Sequence, residues 1–266
     1  MNATLCPSYK FQFSFEDLLN KLSFNRTQSG PNFASFVKAD ETLKFIWLGQ
    51  STLIMNVDGH LILVDPVLRT GTVSLSKLPP IETILITSDQ VTHLDEKTIR
   101  YFQDKKTRFI TPTGVGAHLR DWGIEGYRIS ELEWHESLTA NGISFRATPA
   151  QSESGRGLFD LHSPKSASWI IQGQTDKIFY SGDSSYGPHF DQIGREYGPF
   201  DFGFIQNEQP DETIQAHADL NAHTLIPVTS AVPLIKTFTI AKSWDIPIII
   251  PRVGEIVEWN NYPSSL

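Results

Sequence analysis

From Lys44 onward the chain alternates short apolar runs with polar breaks at strand spacing. FIWLG, TLIMNV, HLILVDP and TILIT follow one another closely. Each is too short for a helix and rich in β-branched or aromatic residues, which predicts strands. Asp58-Gly59 sits between the second and third runs, and Asp-Gly flanked by apolar strands predicts a tight hairpin. After Thr87 the period changes. EKTIRYFQD reads as a helix with Asp95 and Glu96 at its start, then RFITP as a strand and a second helix from near Gly114. Further on, SFRATPA, ASWIIQG, KIFYSGDS, FDFGFIQ, TLIPV and IPIIIP read as strands, and HFDQIGREYG and TIQAHADLNA as helices. Hairpin-linked strands come first and strand-helix alternation appears within each half. That rhythm predicts two mixed sheets packed face to face with helices outside.

Residues 8–40 differ in texture, with a short amphipathic helix expected around Phe15 to Leu22 and a Gly-Pro loop at Ser29, Gly30 and Pro31. Residues 1–40 are therefore expected to form an N-terminal appendage and 41–266 one domain. No Ser/Gly/Pro tract divides the remainder, and 266 residues with 39% hydrophobic content suffice for one large core.

Charge and cysteine content narrow the chemistry. A net charge of -8 without a basic run argues against nucleic acid as a partner. The single cysteine, Cys6, permits neither an intrachain disulfide nor a cysteine zinc cluster. No run approaches the roughly 18 apolar residues of a membrane span, and the opening residues carry no basic leader, so a soluble, cytoplasmic protein is expected.

The run KFIWLGQSTLIMNVDGHLILVDPVL resembles the opening of metallo-β-lactamase-superfamily hydrolases, in particular the branch of N-acylphosphatidylethanolamine-hydrolysing phospholipase D and its bacterial relatives. LPPIETILIT, HLD, ATPAQSESGRG, FYSGDSSY, GPFDFGFI, AHADLNAHTLIPV and IPRVGE then match in the same order over most of the chain. The resemblance implies a four-layer αββα sandwich of two mixed β-sheets. It also implies two metal ions at the strand ends, held by H-x-H-x-D-H, a histidine after Thr-Pro-Ala-Gln, the aspartate of Gly-Asp-Ser/Thr and a final histidine. Such ions share a hydroxide nucleophile and polarise the scissile group.

At the positions matching those ligands this chain carries Ser88, Gln90, Thr92, His93, Ser152, Asp183 and Thr229. Only His93 and Asp183 keep a ligating side chain. Gln50 stands at a neighbouring histidine position, and Asn207 falls at another. Uncharged hydroxyls and amides are poor zinc ligands, and a catalytic zinc needs about three protein ligands plus water. The metal site implied here is vestigial, His93 and Asp183 alone. No cofactor is expected, with zinc or manganese needed only if a reduced or rearranged site still works as a metal-dependent hydrolase of a phosphodiester, phosphorylated lactone or amide.

With the cations gone, Asp183 must find donors or a proton. The expectation is that it pairs with His93 and accepts hydrogen bonds from Ser88, Thr92 or Thr229. His93 and Asp183 are the candidate catalytic pair, each weighed against a capping or turn-fixing role. Arg156, in the loop that lines the site in the family, could hold an anion bidentately or serve a salt bridge. Tyr186 could reach the pocket or simply pack. Asp65 and Asp95 read as loop-fixing or capping carboxylates. His217 and His223 fall on an outer helix and its exit, where solvation is expected. His60, His118, His135, His162 and His189 match no ligand position. A Ser/His/Asp triad of Ser88 or Ser152 with His93 and Asp183 has the right residue types but lacks a nucleophile-elbow signature. The leading expectation is a non-catalytic pseudoenzyme of hydrolase fold that binds a small polar or anionic molecule or a protein partner. A subunit role in an oligomer stands beside it.

Overall fold

The computed structural model describes residues 31–38, 43–68, 73–152, 166–228 and 233–259. Cys6, Arg156, His162, Thr229 and the helix expected at residues 15–22 lie outside the described residues. Two sheets form the centre of the molecule. The first carries β1 (Lys44–Gly49), β2 (Thr52–Val57), β3 (His60–Val64), β4 (Thr83–Leu85), β5 (Arg108–Pro112), β6 (Ile129–Leu132) and β13 (Ile256–Glu258) in the order β13-β1-β2-β3-β4-β5-β6. The second carries β7 (Ser137–Ala140), β8 (Ile143–Pro149), β9 (Ala167–Gln172), β10 (Lys177–Tyr180), β11 (Phe200–Gln206) and β12 (Ala222–Val228) in the order β12-β11-β10-β9-β8-β7.

Each sheet repeats one plan. An antiparallel meander, β1-β2-β3 or β7-β8-β9-β10, is followed by parallel strands reached through helices, β4-β5-β6 or β11-β12. Helices α1 (Phe33–Phe36), α2 (Glu96–Arg100) and α3 (Gly116–Asp121) cover the first sheet, and α4 (His189–Tyr197), α5 (Pro210–Asp219) and α6 (Leu234–Ser243) the second. The expected αββα sandwich is the observed fold. Both faces of the sheets are covered, so β2 is buried along its whole length, with Leu53, Met55 and Val57 on one face and Ile54 between the hydrogen-bonded Thr52 and Asn56 on the other.

Three apolar layers follow from this arrangement. The central one joins Phe45, Trp47, Met55, Trp169, Tyr180 and Phe204 between the sheets, with Phe45 and Phe204 edge to face at 5.0 Å. The outer ones bind helices to each sheet. Phe36, within the segment read as an appendage, is fully buried in the first outer layer, and its carbonyl accepts Asn56 Nδ2 at 2.6 Å. The hairpin forms as the sequence predicts, with Val57 opposite His60 and positive φ at Asp58 (51°) and Gly59 (86°).

IPIIIP departs from its reading. Instead of a strand it makes one bridge, Leu225 to Ile248, with Leu225 N–H donating to Pro247 O and Ile249 N–H to Leu225 O. Pro247 and Pro251 lack the donors a longer ladder requires. His217 also corrects its reading, being 4% exposed on the inner face of α5. No helix among the described residues is long and apolar enough to cross a membrane.

Candidate functional site

Strands β3, β4 and β10 end side by side between the two sheets, and the residues that follow them meet there. Gly182 has φ +60°, and a Cβ on it would lie 2.8 Å from Thr87 Cβ. Glycine at this position therefore lets the turn after β10 touch the turn after β4. Ala167 N–H donates to Thr87 O at 2.9 Å and Trp169 Nε1 to Ile86 O at 3.0 Å, stitching the second sheet to the same turn.

Asp65, the residue after β3, organises this junction. It is fully buried. Its Oδ1 accepts Thr87 N–H at 2.8 Å, and its Oδ2 accepts the Thr87 hydroxyl at 2.7 Å, His93 Nδ1 at 2.8 Å and the Tyr180 hydroxyl at 3.1 Å. A buried carboxylate costs several kcal/mol unless donors of this kind surround it. Burial, then the Asp65 charge, hold the Tyr180 hydroxyl well above its usual range, so it remains a donor. Because the Thr87 proton points at Asp65, His93 Nδ1 must carry hydrogen, and Nε2 is the nitrogen turned to the site.

His93 is 2% exposed. Burial lowers its pKa, but the charge and hydrogen bond of Asp65, with Asp183 beyond, outweigh burial and raise it above the usual histidine value. Across the site Asp183 Oδ1 lies 3.9 Å from Nε2. That is an ion-pair distance and too long for a hydrogen bond. Burial raises the Asp183 pKa; His93 opposes the rise, Glu208 and Asp65 add to it, and a hydrogen bond from Gln90 opposes it.

The expected neighbourhood of Asp183 is thus partly redrawn. His93 does face it, but hydrogen-bonds Asp65 instead. The Ser88 hydroxyl is buried and makes no hydrogen bond among the described residues. The Thr92 hydroxyl donates to Gln90 Oε1 at 3.4 Å. Gln90 is the side chain that reaches Asp183, and its carbonyl accepts the His93 N–H at 2.9 Å to close the turn.

Gln50 is exposed with φ 48°, and its turn is held to the His93 loop because Ser51 Oγ donates to Thr92 O at 2.6 Å. Ser152 follows Gln151, whose N–H donates to Ser184 Oγ at 2.9 Å and whose carbonyl accepts Ser185 N–H at 2.8 Å. That places Ser152 beside the Asp183 turn. Asn207 is buried at the end of β11, with Oδ1 accepting Thr237 Oγ1 at 2.5 Å and Nδ2 unpartnered among the described residues. Tyr186 turns to the outer helices, its ring stacked on Phe190 and its hydroxyl donating to Asp219 at 2.8 Å. It borders a cavity of about 40 Å³ with Ser184, Gln206 and Glu208, and Gln206 Oε1 has no partner among the described residues.

Two residues set aside by motif matching return. Asp65 does fix a loop, as read, but it also orients His93. His189, matched to no ligand position, lies with Nε2 2.9 Å from Ser184 Oγ; burial drops its pKa to about 4, so it is neutral. Asp95 caps α2 as expected, accepting Thr98 N–H at 3.0 Å.

Among the described residues the donor set falls short of a zinc centre. His93 Nε2 and Asp183 supply two donors where about three are needed. Among the described residues no group of three His, Cys, Asp or Glu side chains is placed to hold a metal ion.

Comparison with known proteins bears on the same residues. The family model for the beta-lactamase superfamily domain matches residues 60–229. An uncharacterized protein of Mycobacterium tuberculosis is 32% identical over 252 residues, covering 80% of this chain and 68% of that protein. The N-acyl-phosphatidylethanolamine-hydrolyzing phospholipase D 1 of Caenorhabditis elegans is 25% identical over 218 residues, covering 68% of this chain and 61% of its own length. Among solved structures, Igni18, a metallo hydrolase from Ignicoccus hospitalis, superposes with a TM-score of 0.67 at 18% identity, covering 82% of this chain and 98% of that one.

Proposed function

The chain belongs to the β-lactamase superfamily, with the metallo-β-lactamase fold of metal-dependent hydrolases, and from that premise we propose that it is a member that has given up metal-dependent hydrolysis. Its cleft binds a small polar ligand, or a side chain of a protein partner, by hydrogen bonds. The observation that carries this reading is the arrangement around His93. Nδ1 is committed to Asp65 at 2.8 Å, Nε2 lies 3.9 Å from Asp183, and Asp183 is met by the neutral side chain of Gln90. Groups of this kind recognise a ligand by donors and acceptors and do not gather a second cation.

The anionic ligand is the weaker half of the expectation. Asp183 and Glu208 put negative charge on the described part of the site. A neutral or hydrogen-bond-donating ligand suits the rim better.

Metal analysis of protein purified without chelators tests the proposal. Much less than one equivalent of zinc or manganese is expected, with no phosphodiesterase activity above background and none recovered on adding either ion. About two tightly held equivalents, lost together with such activity in Asp183→Ala, would establish the metal-dependent hydrolase instead.

A further inference from the structure

Parallel strands β4 and β5 run toward the His93 end of the molecule. At their other end a second cleft opens, of about 490 Å³. That is within the range of small-molecule sites. Its floor is apolar, formed by the buried Ile81 and Phe102 and the half-buried Leu78 and Tyr101. Pro79 and Pro80 make one wall, and neither has an N–H to offer a ligand.

The rim is basic. Lys105, Lys106 and Arg108 are exposed along it, and none has an ion-pair partner among the described residues. Lys105 Nζ lies 4.2 Å above the Tyr101 ring, which holds its charge over the floor. The carboxylate lining the cleft, Glu82, is already engaged, with His60 Nδ1 at 2.9 Å and Asn141 Nδ2 at 3.1 Å. In a chain of net charge -8, three cations without an ion-pair partner among the described residues, gathered beside an apolar floor, are a local reversal of sign.

We propose that this cleft is a second binding site, for a small amphipathic anion. The apolar body lies on Leu78, Tyr101 and Phe102, and the carboxylate or phosphate head is held by Lys105, Lys106 and Arg108. Removing the body from water supplies most of the affinity. The cations choose the anion over its neutral analogue and make binding weaken with salt.

Calorimetric titration of the full chain tests the site with decanoate and decyl phosphate below their micellar concentrations, decanol below its solubility limit, and acetate. Decanoate or decyl phosphate is expected to bind at least tenfold more tightly than decanol, which lacks the charge, and than acetate, which lacks the body. The tighter of the two anions identifies the head group. The variant Lys105→Glu/Lys106→Glu/Arg108→Glu changes exposed side chains, so it is expected to keep its unfolding midpoint, and it should weaken the anions at least tenfold while leaving decanol unchanged. Asp183→Asn, at the other end of β4, should leave anion binding as it was. Anions that bind no better than decanol or acetate, or that ignore the charge reversal, would overturn the proposal, as would loss of their binding in Asp183→Asn. None of these outcomes depends on whether the His93 site holds metal.

Discussion

The two sheets bring unlike halves to the candidate site. On the first-sheet side, Asp65, Thr87 and His93 close a network with Tyr180 in which each Asp65 oxygen accepts at least one hydrogen bond. On the second-sheet side, Asp183 is half-buried at ion-pair distance from His93, and Gln206 Oε1 and Asn207 Nδ2 are buried without partners among the described residues. The first half is built to hold a geometry. The second leaves Asp183 partly exposed, its carboxylate met by the Gln90 side chain. Two carboxylates that flank one histidine thus have different work, Asp65 orienting it through Nδ1 and Asp183 standing before Nε2.

Removing the organiser is the strongest test of that division. Asp65→Ala leaves the Thr87 N–H and hydroxyl without their acceptor inside the core, while His93 Nδ1 keeps only the longer contact to Thr87 Oγ1 at 3.2 Å and the Tyr180 hydroxyl keeps Ser51 O at 3.0 Å. Stranded buried donors beside a formerly paired histidine cost about 3–5 kcal/mol. Chemical denaturation should register a loss of that size. A loss below about 1 kcal/mol would show that the network is not what holds the two turns together.

Much of the scaffold beneath this comparison is legible in the sequence. Apolar runs of strand length and the Asp58-Gly59 turn give the first meander because their signals are local. The ends of β4 and β10 are legible as a site because TILITSDQVTHLD and FYSGDSSY resemble known motifs. The partner of His93 was not legible. Motif matching selects the residues that face a metal, whereas Asp65 acts from behind, 28 residues away in sequence. A usable signal was present, since a carboxylate that closes the wholly apolar run LILV is bound to be buried and must find donors. His217 was misplaced for a related reason. It lies three residues after Ile214 and three before Leu220, the buried stripe of α5, and polarity alone assigned it to solvent.

Asp183→Asn should have a much smaller effect on stability, and of the opposite sign. Burial and the neighbouring carboxylates raise the Asp183 pKa in the fold. A carboxyl whose folded pKa lies above its unfolded value binds protons more tightly when folded, so stability falls as pH rises from the unfolded value through the folded one. The cost persists at neutral pH. The asparagine has no charge to desolvate, and it should leave stability unchanged or raise it by under about 1 kcal/mol at pH 7, with no gain at pH 3. The same change removes one of the attractions that raise His93, so the histidine pKa should move down. An NMR titration of the ring protons reads this directly, and an unmoved midpoint would mean that Asp65 alone sets the His93 charge.

The smallest effect is expected at Ser88, where the two halves meet. Its hydroxyl is fully buried and has no hydrogen bond among the described residues. Ser88→Ala removes a polar group whose burial is uncompensated in the ligand-free fold, so stability should hold or rise by a few tenths to about 1 kcal/mol. A hydroxyl kept only for packing would give nothing more. One kept for a ligand would separate two measurements. The alanine variant would unfold no more easily than the parent, yet it would bind a cleft ligand several-fold more weakly, because the donor or acceptor lost is one that only the bound state satisfies. A clear loss of stability in Ser88→Ala would instead place the missing partner within this chain. In that case Ser88 would belong with Asp65 in the network that holds the turns, and not with the surface that faces the cleft.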